Sequence, residues 1–180
     1  MKLYTSRLLL TTLRSFDAGI TLDFVIRNKE RLQALEPKRD PAYYTRAGQA
    51  KFLSQDVASQ QSGASLRLWM MPKGERKVIG SVSFYRILYG SLCSCMIGYR
   101  IDGDYEGKGL MREALNETVR FAFEEMGLHR IEAGILPHNT RSIALIERCG
   151  FKQEGLMRKA MEINGVWEDH VLYAVVKGDG

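Results

Sequence analysis

Apolar residues recur along this chain with two periods, and the switch between them marks out the elements. Arg7-Leu8-Leu9-Leu10-Thr11-Thr12-Leu13 reads as a first strand, buried on at least one face. Ser15 is placed to cap a helix over 16–31, in which Phe16, Ile20 and Phe24 follow one another at four-residue steps. Pro37 and Pro41 bound a connection. Thr45 caps a second helix with Ala50, Leu53 and Val57 on one side, and Gly63 ends it. From Ser65 the period shortens. A strand over 66–71, the turn Pro72-Lys73-Gly74-Glu75 and a strand over 78–84 make an antiparallel hairpin. Gly90-Ser91 opens a further turn, and 95–101 forms a third strand of the meander.

The clearest helix follows. Met111, Ala114, Leu115, Thr118, Ala122 and Met126 form its apolar stripe, and Gly127 stops it. A strand over 131–136 closes a β-α-β unit, and a short helix over 140–149 ends at Gly150. The stretches 151–163 and 166–176 pair around Asn164-Gly165, a strong two-residue hairpin signal. No repeat, low-complexity run or linker interrupts this. The predicted order is β-α-α-β-β-β-α-β-α-β-β. It describes an α+β chain, one mixed sheet flanked by helices in a single domain over 1–180.

Composition refines the picture. Hydrophobic residues make up 45% and charged residues 26%, ordinary for a soluble domain. The start lacks a signal peptide's apolar core and no run approaches the ~18 apolar residues of a membrane span, so a cytoplasmic protein without membrane contact is expected. Cys93, Cys95 and Cys149 are an odd set, suited to reduced thiols. Cys93 and Cys95 would share a face of a strand. No further ligands stand at metal spacing, so they read as packing thiols and no metal is expected. The net charge of +5 and pI near 9.2 suit an anionic cofactor or work near the ribosome. The longest basic cluster is Lys38-Arg39, without interleaved aromatics, and direct nucleic-acid binding is not expected.

Chemistry concentrates at Gly107-Lys108-Gly109, where an apolar strand gives way to the patterned helix. Glycines there permit positive φ and close backbone approach, while free amides and the helix dipole attract an anion such as phosphate. Lys108 and Arg112 can add charge-assisted contacts. The run from Gly103 to Lys108 is one residue short of a Walker A loop and lacks its Ser or Thr. Gly107 to Arg112 fails the dinucleotide fingerprint at its third glycine. His129, His138 and His170 stand in no arrangement with a nucleophile.

Glu106-Gly107-Lys108-Gly109-Leu110-Met111 resembles the pyrophosphate loop, Gln/Arg-x-x-Gly-x-Gly/Ala, of the GNAT (Gcn5-related) N-acetyltransferases. It matches at the central glycine and departs at Glu106 and Met111. Its surroundings strengthen the likeness. Ile97-Gly98-Tyr99-Arg100-Ile101 resembles the family's fourth strand, and Asn139 and Ser142 with Cys149-Gly150-Phe151 resemble its fourth-helix region. Asn164-Gly165, Trp167 and Asp169-His170 resemble the closing hairpin of the RimJ/RimL branch, the ribosomal-protein N-terminal acetyltransferases. The resemblance spans essentially the whole chain and is closest to the alanine-directed, RimJ-type members.

The resemblance implies acetyl-CoA as co-substrate. Backbone groups of Tyr99, Arg100 and Ile101 would pair with its pantetheine arm. Amides of Gly107, Lys108, Gly109, Leu110, Met111 and Arg112 would hold its pyrophosphate. Asn139 would serve as helix cap and pantetheine ligand, and Ser142 as the acid for the departing thiolate. The tyrosine that many relatives use for that step is replaced by Ile146. The glutamate many carry before Ile-Gly-Tyr is replaced by Met96. Glu162 lies near the place of the RimL-type base, although alignment puts Met161 there; Glu154 and Asp169 are further candidates. Trp167 and Tyr43-Tyr44 would line an acceptor cleft. The acceptor the resemblance implies is a protein N-terminus, with a ribosomal protein as one such substrate; the alternative is a small amine, amino acid or antibiotic. A CoA-binding protein without catalysis is the remaining alternative. Oligomeric state stays open between monomer and homodimer.

Overall fold

The computed structural model describes residues 1–179. Eight strands form one sheet in the order β1-β2-β3-β4-β5-β6-β8-β7. They are β1 (Lys2–Tyr4), β2 (Leu8–Thr11), β3 (Ser65–Pro72), β4 (Gly80–Leu88), β5 (Ser94–Ile101), β6 (Arg130–Ile135), β7 (Lys152–Ile163) and β8 (Val166–Val176). The helices are α1 (Ala18–Arg27), α2 (Lys29–Gln33), α3 (Arg46–Gln61), α4 (Leu110–Glu124) and α5 (Thr140–Arg148). None is long and apolar enough to cross a membrane. The mixed sheet flanked by helices matches the sequence reading.

Alternation along the central strands divides the core into two layers. Leu68 and Met70 of β3 face the cluster built by Val82, Phe84 and Ile97 with Leu115, Ala122 and Ile146 of α4 and α5. Their neighbours Trp69 and Met71 face the other way, against Phe24, Val25 and Leu53 of α1 and α3. The central strands are therefore covered on both faces, whereas most of β7 is exposed.

Four readings near the N-terminus are corrected. A short extra strand, β1, pairs with β2 through Leu3↔Leu10. Ser15 caps nothing: it opens a 3-10 turn, Ser15–Asp17, whose Asp17 carboxylate accepts from the Arg14 amide at 3.1 Å. Phe16, expected in the stripe, is 72% exposed. The single helix expected over 16–31 is two helices. Asn28 interrupts it because its side chain donates to the Phe24 carbonyl and accepts from the Gly103 amide, both at 3.0 Å. That break sets α2 at a new angle, carrying Arg31 to the loop before α4. The thiol reading also changes. Cys93 sits in the turn before β5 at φ 40 and does not share a strand face with buried Cys95.

All sheet pairings are antiparallel except β5–β6, whose crossover is α4. This parallel pairing runs only from Ser94↔Arg130 to Met96↔Glu132. Beyond Met96, β5 stays paired to β4 as far as Ile101, and β6 stays paired to β8 as far as Ile135. The two strands thus lose each other while each keeps its outer partner, and a seam opens in the middle of the sheet.

A carboxylate pins the N-terminus to α4. Glu113 accepts from the hydroxyls of Thr5 and Ser6, the Arg7 amide at 2.8 Å and the Arg7 Nε at 2.7 Å. Burial works against its ionisation, but the bonds from Thr5, Arg7 and Ser6 outweigh that and hold its pKa at about 2. Its ordinary value in an unfolded chain is about 4.3. The pin therefore stabilises fully above that value and is lost as pH falls from there toward 2. Glu113→Gln is expected to cost about 2 kcal/mol, seen as a melting point lower by about 4–8 °C at pH 7. Its melting point should also fall less steeply than the parent's over that acid window. A variant that melts with the parent at pH 7 would show that the pin contributes nothing.

Candidate active site

The loop before α4 adopts the conformation its glycines allow. Gly107 lies at φ 70 and Gly109 at φ 74, with Gly109 as the N-cap of α4. No side chain caps the helix there. Leu110 and Met111 are buried and anchor the first turn in the core, which turns the helix end outward. Among the described residues, no group accepts from the amides of 107–112. A Cβ added at Gly107 would meet nothing within 4 Å, and one at Gly109 would meet only the Arg7 Nη2, at 3.6 Å. A run of unpartnered amides at a helix N-terminus with room in front of it is a fit for a phosphate group. Lys108 stands 5.1 Å over the Tyr105 ring, and Arg112 is exposed on the first turn.

The seam lies next to this loop. In an antiparallel ladder, alternate residues aim their amides and carbonyls away from the paired neighbour. Along 97–101 of β5 those groups face the side where β6 has left, so Tyr99 and Arg100 border an unpaired edge. Ile101 differs, because its carbonyl accepts from Arg31 of α2. The side chains of Tyr99 and Arg100 point to opposite faces. Arg100 is buried on the α1 side, bonded to Ser81 at 3.2 Å and to Tyr43 at 3.3 Å, and stacked over Phe24 and Trp69. Tyr99 turns toward α5. Its hydroxyl accepts from the Ser142 hydroxyl at 2.8 Å and donates to the Ser142 carbonyl at 3.2 Å. Burial pushes the Tyr99 phenol up to about 12, so it stays protonated and able to donate. Asn139 caps α5, accepting from the Ser142 amide at 3.2 Å. Asn139, Ser142 and Tyr99 thus meet beside the seam. Ile146, where many relatives place a tyrosine, is fully buried in the core.

The carboxylates separate into free and committed. Glu154 is bound to Arg130, and its pKa is lowered first by those hydrogen bonds. Asp169 accepts from the Lys159 amide at 2.7 Å, holding an irregularity in β7 where Lys159 sits at φ 47. Both have structural work. Glu162 is exposed and lines a cleft of about 770 Å³ with Gln33, Pro37, Lys38, Asn164 and Gly165. The cleft lies between α2 with its following connection and the tip of the β7–β8 hairpin, where Asn164 donates to the Gln33 carbonyl at 2.8 Å. Tyr43 is occupied with Arg100, and Tyr44 lies beneath Lys29. Trp167, paired with Glu162 across the hairpin, is 59% exposed. His138 is exposed in the loop before α5, and His170 is buried with its Nδ1 3.2 Å from the Glu168 carbonyl. Cys95 is buried, and that burial pushes its thiol up to about 12. Among the described residues no group of His, Cys, Asp or Glu is arranged to hold a metal.

Several residues at the site carry no local signal in the sequence. Arg7 donates to the Lys108 carbonyl at 3.0 Å, steadying the loop from the N-terminus. Arg31 binds both the Ile101 carbonyl and the Glu106 carboxylate. Arg141 of α5 reaches the other Glu106 oxygen at 2.8 Å. The Tyr99 hydroxyl was legible only as strand backbone. Each of these contacts joins segments far apart in the chain, which no periodicity records.

The chain matches the family model of the acetyltransferase (GNAT) domain over residues 7–152. It is 33% identical to the [Ribosomal protein uS5]-alanine N-acetyltransferase of Escherichia coli, covering 99% of this chain and 92% of that one. Its fold superposes on the ribosomal-protein-S5-alanine acetyltransferase of Vibrio fischeri with a TM-score of 0.93, at 33% identity, covering 99% and 98% of the two chains. It superposes on Mycobacterium smegmatis RimJ, solved in complex with CoA-disulfide, with a TM-score of 0.89 at 28% identity, covering 94% and 81%. The glycine loop, the seam beside it and these likenesses together place this chain in the GNAT acetyltransferase family.

Proposed function

We propose that the protein moves the acetyl group of acetyl-CoA to the N-terminal α-amine of a protein in the cytoplasm, with an alanine-initiated ribosomal protein as the acceptor class. The observation that carries the donor half is the run of open amides at 107–112 beside the unpaired edge of β5. Those amides fit the pyrophosphate, and the edge at 97–100 with Asn139 fits the pantetheine arm. When bound, acetyl-CoA supplies an activated acyl group. The chain's own work is to place it and move protons.

The acceptor half rests on the cleft at Glu162. It is open, and Lys38 shares it with a single carboxylate. A closed, acidic pocket would suit a small polyamine; an open cleft suits the end of a peptide. The likeness to the uS5-alanine enzyme supports the same choice. An α-amine titrates near 7.7–8.0, so roughly a tenth is neutral near pH 7, and a modest base suffices. Glu162 takes the amine proton directly or through water. Ser142 gives its hydroxyl hydrogen to the departing sulfur and is reprotonated through water by the proton that Glu162 took from the amine, which returns both residues to their starting state. Tyr99 holds that hydroxyl in place, which fits the loss of the usual tyrosine at Ile146.

In a CoA-thiol release assay, a peptide with a free N-terminal alanine is expected to turn over, and the same peptide with a formylated terminus is not. Release with polyamines or free amino acids and not with peptides would overturn the acceptor assignment. Ser142→Ala should lower kcat by about 10²-fold with KM for acetyl-CoA unchanged. Glu162→Gln should lower it by about tenfold at pH 7 and less at pH 9, where the amine is already neutral. Equal losses at both pH values would remove Glu162 as the base.

The loop makes a separate prediction. Gly107→Ala places a side chain at φ 70, a strain of about 1–2 kcal/mol, and a methyl group in the space before the amides. CoA binding, measured calorimetrically, should weaken by at least about tenfold, more than the strain alone explains when compared with Gly63→Ala at φ 74.

A further inference from the structure

Glu106 is the position at which this loop departs from the family's Gln or Arg, and it sets a carboxylate directly before the amides proposed to hold a pyrophosphate. Alone, it would repel that ligand. Two guanidinium groups converge on it instead, Arg31 from α2 and Arg141 from α5. One carboxylate between two arginines leaves a positive charge in excess, next to the run at 107–112. That excess is complementary to a phosphate.

The two arginines are not equivalent. Arg31 also donates to the Ile101 carbonyl, and its side chain is 35% exposed. It is held by strand and loop together. The Arg141 side chain is 84% exposed, and among the described residues Glu106 is its one acidic partner. An exposed ion pair contributes little net stability, so exchanging it is cheap. A guanidinium gripping phosphate oxygens makes stronger, charge-assisted and often bidentate bonds. Arg141 also stands between Asn139 and Ser142 at the start of α5, across from the loop, so the same helix turn would touch the pantetheine arm and the phosphates.

Resting on the acetyl-CoA reading above, we propose that Arg141 is a phosphate-binding residue for the donor, and that Glu106 competes with the phosphate for it. Glu106 then acts as a regulator of donor affinity, keeping the arginine at the loop and drawing it back as CoA leaves. Arg31 holds the other oxygen of the Glu106 carboxylate to the end of β5 throughout.

The test is calorimetric, with CoA and with pantetheine, which lacks the phosphates, as probes on the full-length protein. Arg141→Gln should weaken CoA binding by about tenfold, flatten its salt dependence and leave pantetheine binding unchanged. Glu106→Gln restores the residue common in the family and should tighten CoA binding severalfold. That gain should shrink when Arg141→Gln is also present, because the competitor then has nothing to release. The assignment is overturned if Arg141→Gln leaves CoA affinity unchanged, or weakens CoA and pantetheine alike, or if the two substitutions are additive. Wild-type protein that binds neither probe would take down the donor reading itself. Wild-type binding with an indifferent Arg141→Gln would take down only the arginine.

Discussion

The site depends on a parallel pairing that ends early. β5 and β6 share register only from Ser94 to Met96, yet each remains bonded on its far side. Backbone polar groups inside a sheet are expensive to leave without partners. Here a stretch of them borders the opening left where β6 departs, the place our proposal gives to the pantetheine arm with its own amides and carbonyls. Were the two strands paired throughout, the fold would be regular and the edge of β5 at 97–101 would be closed. Tyr99 and Ser142 take advantage of the divergence by meeting across it.

Around that opening, charge is arranged so that the backbone supplies the anion site and side chains correct it. The amides of 107–112 and the α4 dipole need no side chain to attract phosphate. The acidic groups nearby are neutralised on the spot: Glu113 by Arg7, and Glu106 by Arg31 and Arg141. These pairs also tie the N-terminal segment, α2 and α5 to one loop. α2 is tied to both places, since Arg31 grips the loop before α4 while the Gln33 carbonyl, two residues on, receives the hairpin tip at the Glu162 cleft.

What could be read from the sequence was what is encoded locally. Gly107 and Gly109 were legible because positive φ before a helix calls for glycine, and Asn164-Gly165 because a tight hairpin does. The stripe of α4 gave its boundaries nearly to the residue. The break at Asn28 was not legible, because it depends on a bond to Gly103, 75 positions away. Phe16 looked like a core residue by spacing, and the 3-10 turn at Ser15–Asp17 rotates it into solvent. The seam had no signature at all: strands 94–101 and 130–135 look as apolar past the divergence as before it. The roles of Arg31, Arg141 and the Tyr99 hydroxyl rest on long-range geometry in the same way. The partners of Glu154 and Asp169 were likewise hidden, because Arg130 and the Lys159 amide reach them only in the folded sheet.

The Glu113 pin has a consequence for how the protein is made. Its partner Arg7 precedes it by 106 residues. At cellular synthesis rates, that separation is about 5–20 seconds of translation. During this interval the first two strands exist without the helix that will fasten them, and the loop at Lys108 has no support from the N-terminal side. The loop before α4 is therefore finished by the oldest residues of the nascent chain, after most of the sheet has been synthesised. An extension fused ahead of Met1 would act at a distance: by disturbing Thr5, Ser6 and Arg7, it would alter a binding loop on the other side of the sequence.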